Sequence, residues 1–325
     1  MSAELAEVVA TMAAEGADPE VSAVERLLRA PVSVAVRGRA GVGRGTVARA
    51  LGVRVGPDPP IPGATADVDV LVVAEAATDD DRATVTDSTV VVLNKADLGG
   101  AAAGGPLGAA QAAAARIAAR LRVPVVPMVA LLADVHIADD DLVALRTLVR
   151  TPADVSSVDT FVTCAHPVPA GVRGELIDRL DRFGLAHAIL AVAEGAGPDE
   201  VAARLRALSG ADPARAMLHR AAAAVRYRRC VRAVHAVRVL AADRGDERLA
   251  ERLDGDDVVL AVMTAAVDVV EVSGAAVDRG DDIGAHTRRA VRFHHLSRGP
   301  LDALHRRCAA DITRGSLRLL EARGG

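Results

Sequence analysis

Four valine-rich runs, each followed by a segment of helical length or pattern, constrain this chain more than any other feature. They are "PVSVAVRG" (31–38), "DVDVLVVAEA" (67–76), "STVVVLNKAD" (88–97) and "RVPVVPMVAL" (122–131). Strands that are apolar on both faces bury both faces, and strands alternating with helices stack in parallel; together these predict a parallel sheet covered on both sides. The intervening helices are read at 47–51, from the acidic start "DDDRATV" (79–85), and at 109–121. Two short helices, 3–14 and 20–29, precede the sheet, the second with Val21, Val24, Leu27 and Leu28 at helical spacing.

From about residue 172 the pattern becomes almost continuously helical, with breaks at 195–198, 210–213, 255, 280 and 299–300. One further strand is expected at 186–193. The resulting organisation is N-terminal helices over 1–30, an α/β domain with a three-layer, mostly parallel sheet over 31–152, and a mainly helical, all-α domain over 153–325.

Composition narrows the class. Hydrophobic residues make up 51% of the chain, but with three Phe, one Tyr and no Trp the cores must be aliphatic. No apolar run reaches the ~18 residues of a membrane span, and the acidic first residues are unlike a signal peptide. Three separated cysteines, Cys164, Cys230 and Cys308, form neither a metal-ligand spacing nor a disulfide framework. A soluble cytoplasmic protein without a transmembrane segment is expected.

"GRAGVGRGT" (38–46) joins the first strand to a helix. Glycines let successive amides turn inward on a phosphate, and a helix N-terminus adds its positive dipole end. Against the pattern G-x-x-x-x-G-K-[ST], Gly38 and Gly43 match, Arg44 replaces Lys, Gly45 takes the hydroxyl position, and Thr46 follows one residue later. Gly41 adds a further glycine within the loop. In this form the loop is similar to the Gly-x-x-Gly-x-Gly-Lys-Gly-Thr loop of nucleoside monophosphate kinases, a resemblance that implies a metal near Thr46.

The positive charge of the chain is written almost wholly as Arg: of 39 Lys and Arg residues, Lys95 is the sole lysine. Asn94, beside it, is the sole asparagine. In such a background a surviving Lys marks a place where a compact ammonium on a straight stem is required and the Arg fork would not serve.

Asn94-Lys95-x-Asp97, directly after an apolar strand and 48 residues beyond a phosphate-type loop, resembles the Asn-Lys-x-Asp signature of the Ras-like and dynamin-like GTP-binding superclass. The resemblance covers residues 32–150. It implies that Asp97 accepts hydrogen bonds from guanine N1 and N2, that Asn94 braces the base and the phosphate loop, and that the Lys95 stem lies along the base plane. It also gives the backbone amide at Ala130 to guanine O6, with Val129 standing where the family has Ser. The implied ligands are GTP or GDP, with Mg2+ at Thr46.

The chain departs from that family where hydrolysis is assembled. Only the 16 residues 52–67 lie between the glycine-loop helix and the second strand, with no Asp-x-x-Gly. Each strand of a hairpin takes ~5–6 residues, so the connection is too short for both switches and a hairpin. The expectation is therefore a degenerate P-loop guanine-nucleotide-binding protein with weak or no hydrolysis, acting through a protein partner or an oligomer, and no catalytic residue is assigned. Two alternatives stand beside it: an interaction scaffold that binds no nucleotide, and a protein similar to nucleoside monophosphate kinases.

The helical half carries its own signal. Residues 213–242 hold seven Arg and no acidic residue. Such a helix is either a solvated basic face whose stems cover apolar neighbours or a site for an anionic partner. The near absence of aromatics removes a stacking platform for single-stranded nucleic acid. His294, His295 and His305 have no metal-ligand spacing and are expected on the surface.

Overall fold

The computed structural model describes residues 2–16, 18–55, 66–100 and 104–324. In chain order the first elements are α1 (Ser2–Gly16), α2 (Pro19–Arg29), β1 (Val34–Gly38), α3 (Arg44–Leu51), β2 (Arg54–Val55), β3 (Val68–Val73) and α4 (Asp79–Ala83). β4 (Thr89–Asn94), α5 (Gly105–Leu121) and β5 (Val125–Met128) complete the sheet region. The helices α6 (Asp139–Arg150), α7 (Val158–Thr163), α8 (Ala170–Ala193), α9 (Pro198–Leu208) and α10 (Ala211–Arg244) follow. The last are α11 (Glu247–Leu253), α12 (Asp256–Val272), α13 (Ile283–Ser297) and α14 (Ala303–Gly324). Short 3-10 turns, Ala96–Leu98 and Ala130–Leu132, leave β4 and β5.

The sheet has five strands in the order β2-β1-β3-β4-β5, and every pairing is parallel. Its centre is dry on both faces. Leu71, Val73, Val91 and Leu93 pack with Ala114, Ile117 and Leu121 of α5, while Val70, Val72, Val90 and Val92, which point the other way, are buried too. That two-sided burial is why the strands read as unbroken apolar runs instead of alternating ones. From β1 the chain moves outward to β2, then returns to β3 on the opposite side. The strand order therefore reverses between β1 and β3, and ligands of open α/β sheets collect beyond the carboxyl ends of strands at such a reversal.

The chain divides into two compact units, residues 34–217 and residues 1–33 together with 218–325. These limits differ from the expected ones at 30 and 152, and the apolar contacts explain the difference. One cluster joins Val129, Leu132 and Leu145, beside the sheet, to Phe161, Leu176, Leu185 and Leu205 on α7, α8 and α9. At the α9–α10 turn Gly210 has φ 71°, and a Cβ there would lie 2.4 Å from the carbonyl oxygen of Pro127 in β5. Ser209 O also accepts the Val129 amide at 2.8 Å. The helices up to residue 217 are thus part of the α/β unit.

The strand expected at 186–193 is not formed: these residues complete α8. In its second half Gly184, Leu185, Ala188, Ala191 and Val192 are buried, so that 184, 188, 191 and 185, 188, 192 fall three and four apart and the apolar run is the buried stripe of a helix.

In the helical unit a second aliphatic core gathers Leu5, Val9 and Met12 of α1, Val21 and Leu28 of α2, and Tyr227, Cys230 and Val237 of α10. Val258 and Val269 of α12, Phe293 of α13 and Ile312 of α14 close it. His294 and His295 are exposed, and His305 is half-buried against Asp302 and Ser273. Among the described residues no helix is long and apolar enough to cross a membrane.

Candidate functional site

The carboxyl ends of β1, β4 and β5 bring most of the singled-out residues together. β1 ends at Gly38, which pairs with Val72 of β3; a Cβ at Gly38 would sit 2.4 Å from the Val72 carbonyl oxygen, closer than any side chain allows. The loop then turns through Gly41 (φ 83°) and Gly43 (φ 86°), left-handed conformations that favour glycine. Val42, between them, is buried and anchors the loop. α3 starts at Arg44, and its first backbone bond runs from the Val47 amide to Gly43 O, 3.0 Å. The amides of Arg44, Gly45 and Thr46 precede that first bond, at the positive end of the helix dipole.

Asn94 is the last residue of β4, and its side chain is buried. Its Nδ2 donates to Val42 O at 2.9 Å, and its Oδ1 accepts the Ala130 amide at 3.1 Å. One carboxamide therefore fastens the glycine loop to β4 and to the turn after β5. A carbonyl on one side and an N–H on the other require one acceptor and one donor on a short side chain, so Asp would fail at Val42. The fit is close. A Cβ at Gly43 would fall 2.4 Å from Asn94 Nδ2.

The resemblance assigns the Ala130 amide to guanine O6. In the structure that donor is hydrogen-bonded to Asn94, so Ala130 acts as a brace within the protein.

Lys95 follows with φ 58°, caps the 3-10 turn through Leu98 N–H to Lys95 O at 3.0 Å, and exposes its side chain. Asp97, two residues on, is half-buried. Burial pushes its carboxyl above the ordinary carboxylate range, the nearby Asp181 carboxylate adds to the rise, and its own amide and Lys95 oppose it. Asp181 is a residue that sequence reasoning missed. It interrupts α8 with φ 54° and ψ 178°, and its own Oδ1 accepts the Arg182 amide at 2.5 Å. Nothing in "DRLDRFG" marks that break.

Arg37 and Arg39, absent from the sequence reading, tie the exit of β1 to the segment after β3. Arg37 donates to Thr84 Oγ1 at 2.5 Å and to Thr84 O at 2.7 Å, and Arg39 donates to Ala76 O at 3.3 Å. Thr78 and Asp81 close that segment with reciprocal caps on α4. The signal was present as two arginines flanking a glycine, but Arg is too frequent in this chain to stand out.

Thr46 lies in the first turn of α3, half-buried. Among the described residues no group of three or more His, Cys, Asp or Glu is arranged to hold a metal ion. A cation at Thr46 would therefore draw most of its oxygen ligands from phosphate and water. Of the 16-residue connection, Gly52 closes α3 and Arg54–Val55 forms β2 on β1, while residues 56–65 lie outside the described residues.

Comparison of the chain with protein families, with curated proteins and with solved structures returned no match.

Proposed function

We propose that the α/β unit is a degenerate guanine-nucleotide-binding module with weak or no hydrolysis, acting as a regulatory or partner-dependent protein. The observation that carries this reading is the double hydrogen bond of Asn94, which joins a glycine loop at Val42 to the turn at Ala130. A site that reads a base at one end and phosphates at the other needs those two segments held in fixed relation, because misplacement weakens both contacts at once. In this reading the loop from Gly38 through Gly41 and Gly43 to Arg44, Gly45 and Thr46 receives the phosphates. Asp97 accepts from the base edge, and the Lys95 stem covers the base plane. Bound Mg2+ would neutralise phosphate charge, with the Thr46 hydroxyl as this chain's contribution to its shell.

Asp97 suits its role energetically. A half-buried carboxylate whose pKa is raised by burial gains most from paired N–H donors. Guanine offers two at N1 and N2; adenine offers an acceptor at N1. Accepting from the base requires the ionised form, so affinity falls as pH drops through the raised Asp97 pKa. Turnover is a separate matter. Arg44 puts a bulky fork where phosphate loops carry a compact Lys, and positioning by such groups supplies most of the rate in phosphoryl transfer.

Titration of the purified chain with fluorescent GDP, GTP and ATP, with and without Mg2+, tests the reading. Guanine is expected to bind ~10-fold or more tightly than adenine, a preference lost in Asp97→Ala. Equal affinity for ATP would remove Asp97 from base reading, and Asp97-dependent multiple-turnover hydrolysis would overturn the view of a degenerate site. A second reading, a scaffold that binds no nucleotide, is favoured by one observation: the Ala130 amide is already engaged by Asn94. Absence of binding for all three nucleotides would select it.

A further inference from the structure

The Arg-rich helix resolves into a specific place in the helical unit. A pocket of about 430 Å³ opens between α10, α12 and α14. Val231 and Val234 of α10 and Val258, Val259 and Val262 of α12 form an aliphatic wall. Four guanidinium groups, Arg232, Arg238, Arg307 and Arg314, stand in the lining of the same pocket. We infer that this pocket binds a single-chain amphiphile with one anionic headgroup, a carboxylate or a phosphate monoester, its alkyl tail against the valines and its head between Arg232 and Arg307.

Charge selects the sign of the ligand. Arg238 pairs with Asp254 at 2.8 Å, and Arg314 lies 4.0 Å from the same carboxylate. Among the described residues Arg232 and Arg307 have no carboxylate within 4 Å; Arg307 feels Asp311 at longer range, so the four guanidinium groups still outnumber the two carboxylates, Asp254 and Asp311, around them. The one carboxylate in the lining, Asp311, is already engaged: Tyr227 donates its hydroxyl to Asp311 Oδ2 at 2.6 Å. A cationic headgroup would meet that occupied acid among four arginines, whereas an anion meets forked donors suited to carboxylate and phosphate oxygens.

Shape and lining select the tail. The volume falls within the range of small-molecule sites, which are mostly apolar with a few convergent polar groups. His235 is the one ring in the lining; the wall itself is valine and leucine, against which a flexible alkyl chain packs without the flat face a planar base requires. The proposal does not rest on the nucleotide reading, because every residue it uses lies within 218–325.

The experiment is calorimetric titration of the full chain with decanoate and with decyl phosphate, below their micelle concentrations, against acetate and decyltrimethylammonium. Tyr227 supplies a second readout, since the chain has one Tyr and no Trp, and its hydroxyl partner lies in the pocket lining. At least one of the two anionic amphiphiles should saturate at one per chain and change the Tyr227 emission, while acetate and the cationic amphiphile should not saturate. Replacing both exposed arginines, Arg232→Ala with Arg307→Ala, is expected to weaken that binding ~10-fold or more with circular dichroism unchanged. Val262→Phe, which fills the pocket, should weaken it as well while leaving the arginines in place. Absence of binding by both anions, equal binding of the cationic amphiphile, or full affinity in the double-arginine variant would each overturn the proposal.

Discussion

The α/β unit and the helical unit draw on the same narrow set of residues, Ala, Val, Arg and Gly, but they are held in different ways. In the α/β unit two of the tightest places are made by main chain: Gly38 lies against Val72 O and Gly210 against Pro127 O, each at a distance a Cβ would reduce to 2.4 Å. In the helical unit the closest glycine, Gly315 of α14, lies against the side chain of Met263, where an added Cβ would come 2.4 Å from the sulfur. A strand carbonyl retreats only with its strand, whereas the sulfur and Cγ of Met263 can rotate away, although its Cβ, 2.7 Å from the added atom, moves only with α12. Glycine is thus required against the strand carbonyls by φ or by fixed main chain, while against Met263 part of the tightness lies in atoms that can rotate.

The largest expected effect tests that contrast directly. Gly210→Ala places a side chain at φ 71° and against a fixed carbonyl, and should cost about 2–4 kcal/mol in urea unfolding. Gly315→Ala should cost less, about 1–3 kcal/mol, because rotation of Met263 relieves the overlap with its sulfur and Cγ and Ala has the better helix propensity, while the overlap with its Cβ requires a small shift of α14 from α12. Equal losses at the two positions would break the comparison.

Asn94→Ala should come next. It leaves Val42 O and the Ala130 N–H without their buried partner, at about 2–3 kcal/mol together. Asn94→Asp sharpens the test: it keeps the acceptor for Ala130 but sets a carboxylate oxygen against Val42 O. If hydrogen bonding, and not side-chain volume, is what Asn94 supplies, Asp should be at least as destabilising as Ala at neutral pH. A fully stable Asn94→Asp variant would show that the brace does not hold the loop.

The same contrast explains what was legible beforehand. β3 and β4 could be read because central parallel strands are buried on both faces and so appear as continuous valine runs, and β1 and β5, though only half-buried, carry valine at alternate or adjacent positions. Asn94 and Lys95 stood out because an Arg-rich background makes each the sole residue of its type. β2 could not be read: it has two exposed residues, Arg54 and Val55, and exists only through pairing with Ala35 and Val36. The apolar stretch at 186–193 was ambiguous because short apolar runs suit either a strand or a buried helix face. The unit limits were hidden for a related reason, since the contacts binding Phe161, Leu176 and Leu205 to Leu132 and Leu145 are long-range and leave no local mark. Asp181 belongs to the same class: its departure from helical geometry has no signature in its neighbours.

The smallest expected effect concerns charge in the α/β unit, where Asp141 caps α6 through the Ala138 amide at 2.9 Å and receives the fork of Arg179 at 2.5 and 3.1 Å. Burial alone would raise the Asp141 pKa, but the Arg179 hydrogen bonds, the Ala138 amide and the Arg179 charge together hold it below the ordinary carboxylate value. A depressed folded-state pKa means that the unfolded chain binds the proton first. The stabilisation is therefore fully present above the ordinary value and is lost as pH falls through the lowered one. Arg179 is 43% exposed, so solvent screening limits the pair to about 1 kcal/mol or less. Asp141→Asn keeps an acceptor for the Ala138 amide but removes the charge and sets an amide donor where Oδ1 received Arg179, a change that protonating Asp141 also makes, so its cost should be seen at pH 7 and should shrink in melts at the acid end. Asp97 works in the opposite sense, because its raised pKa favours the folded state as pH falls. Asp97→Asn should therefore raise stability at pH 7 and lose that gain toward acid, a mirror image of Asp141→Asn within one unit. Parallel pH profiles for the two variants would mean that the Asp97 carboxylate is not penalised by burial, and would remove the energetic reason for giving it a partner.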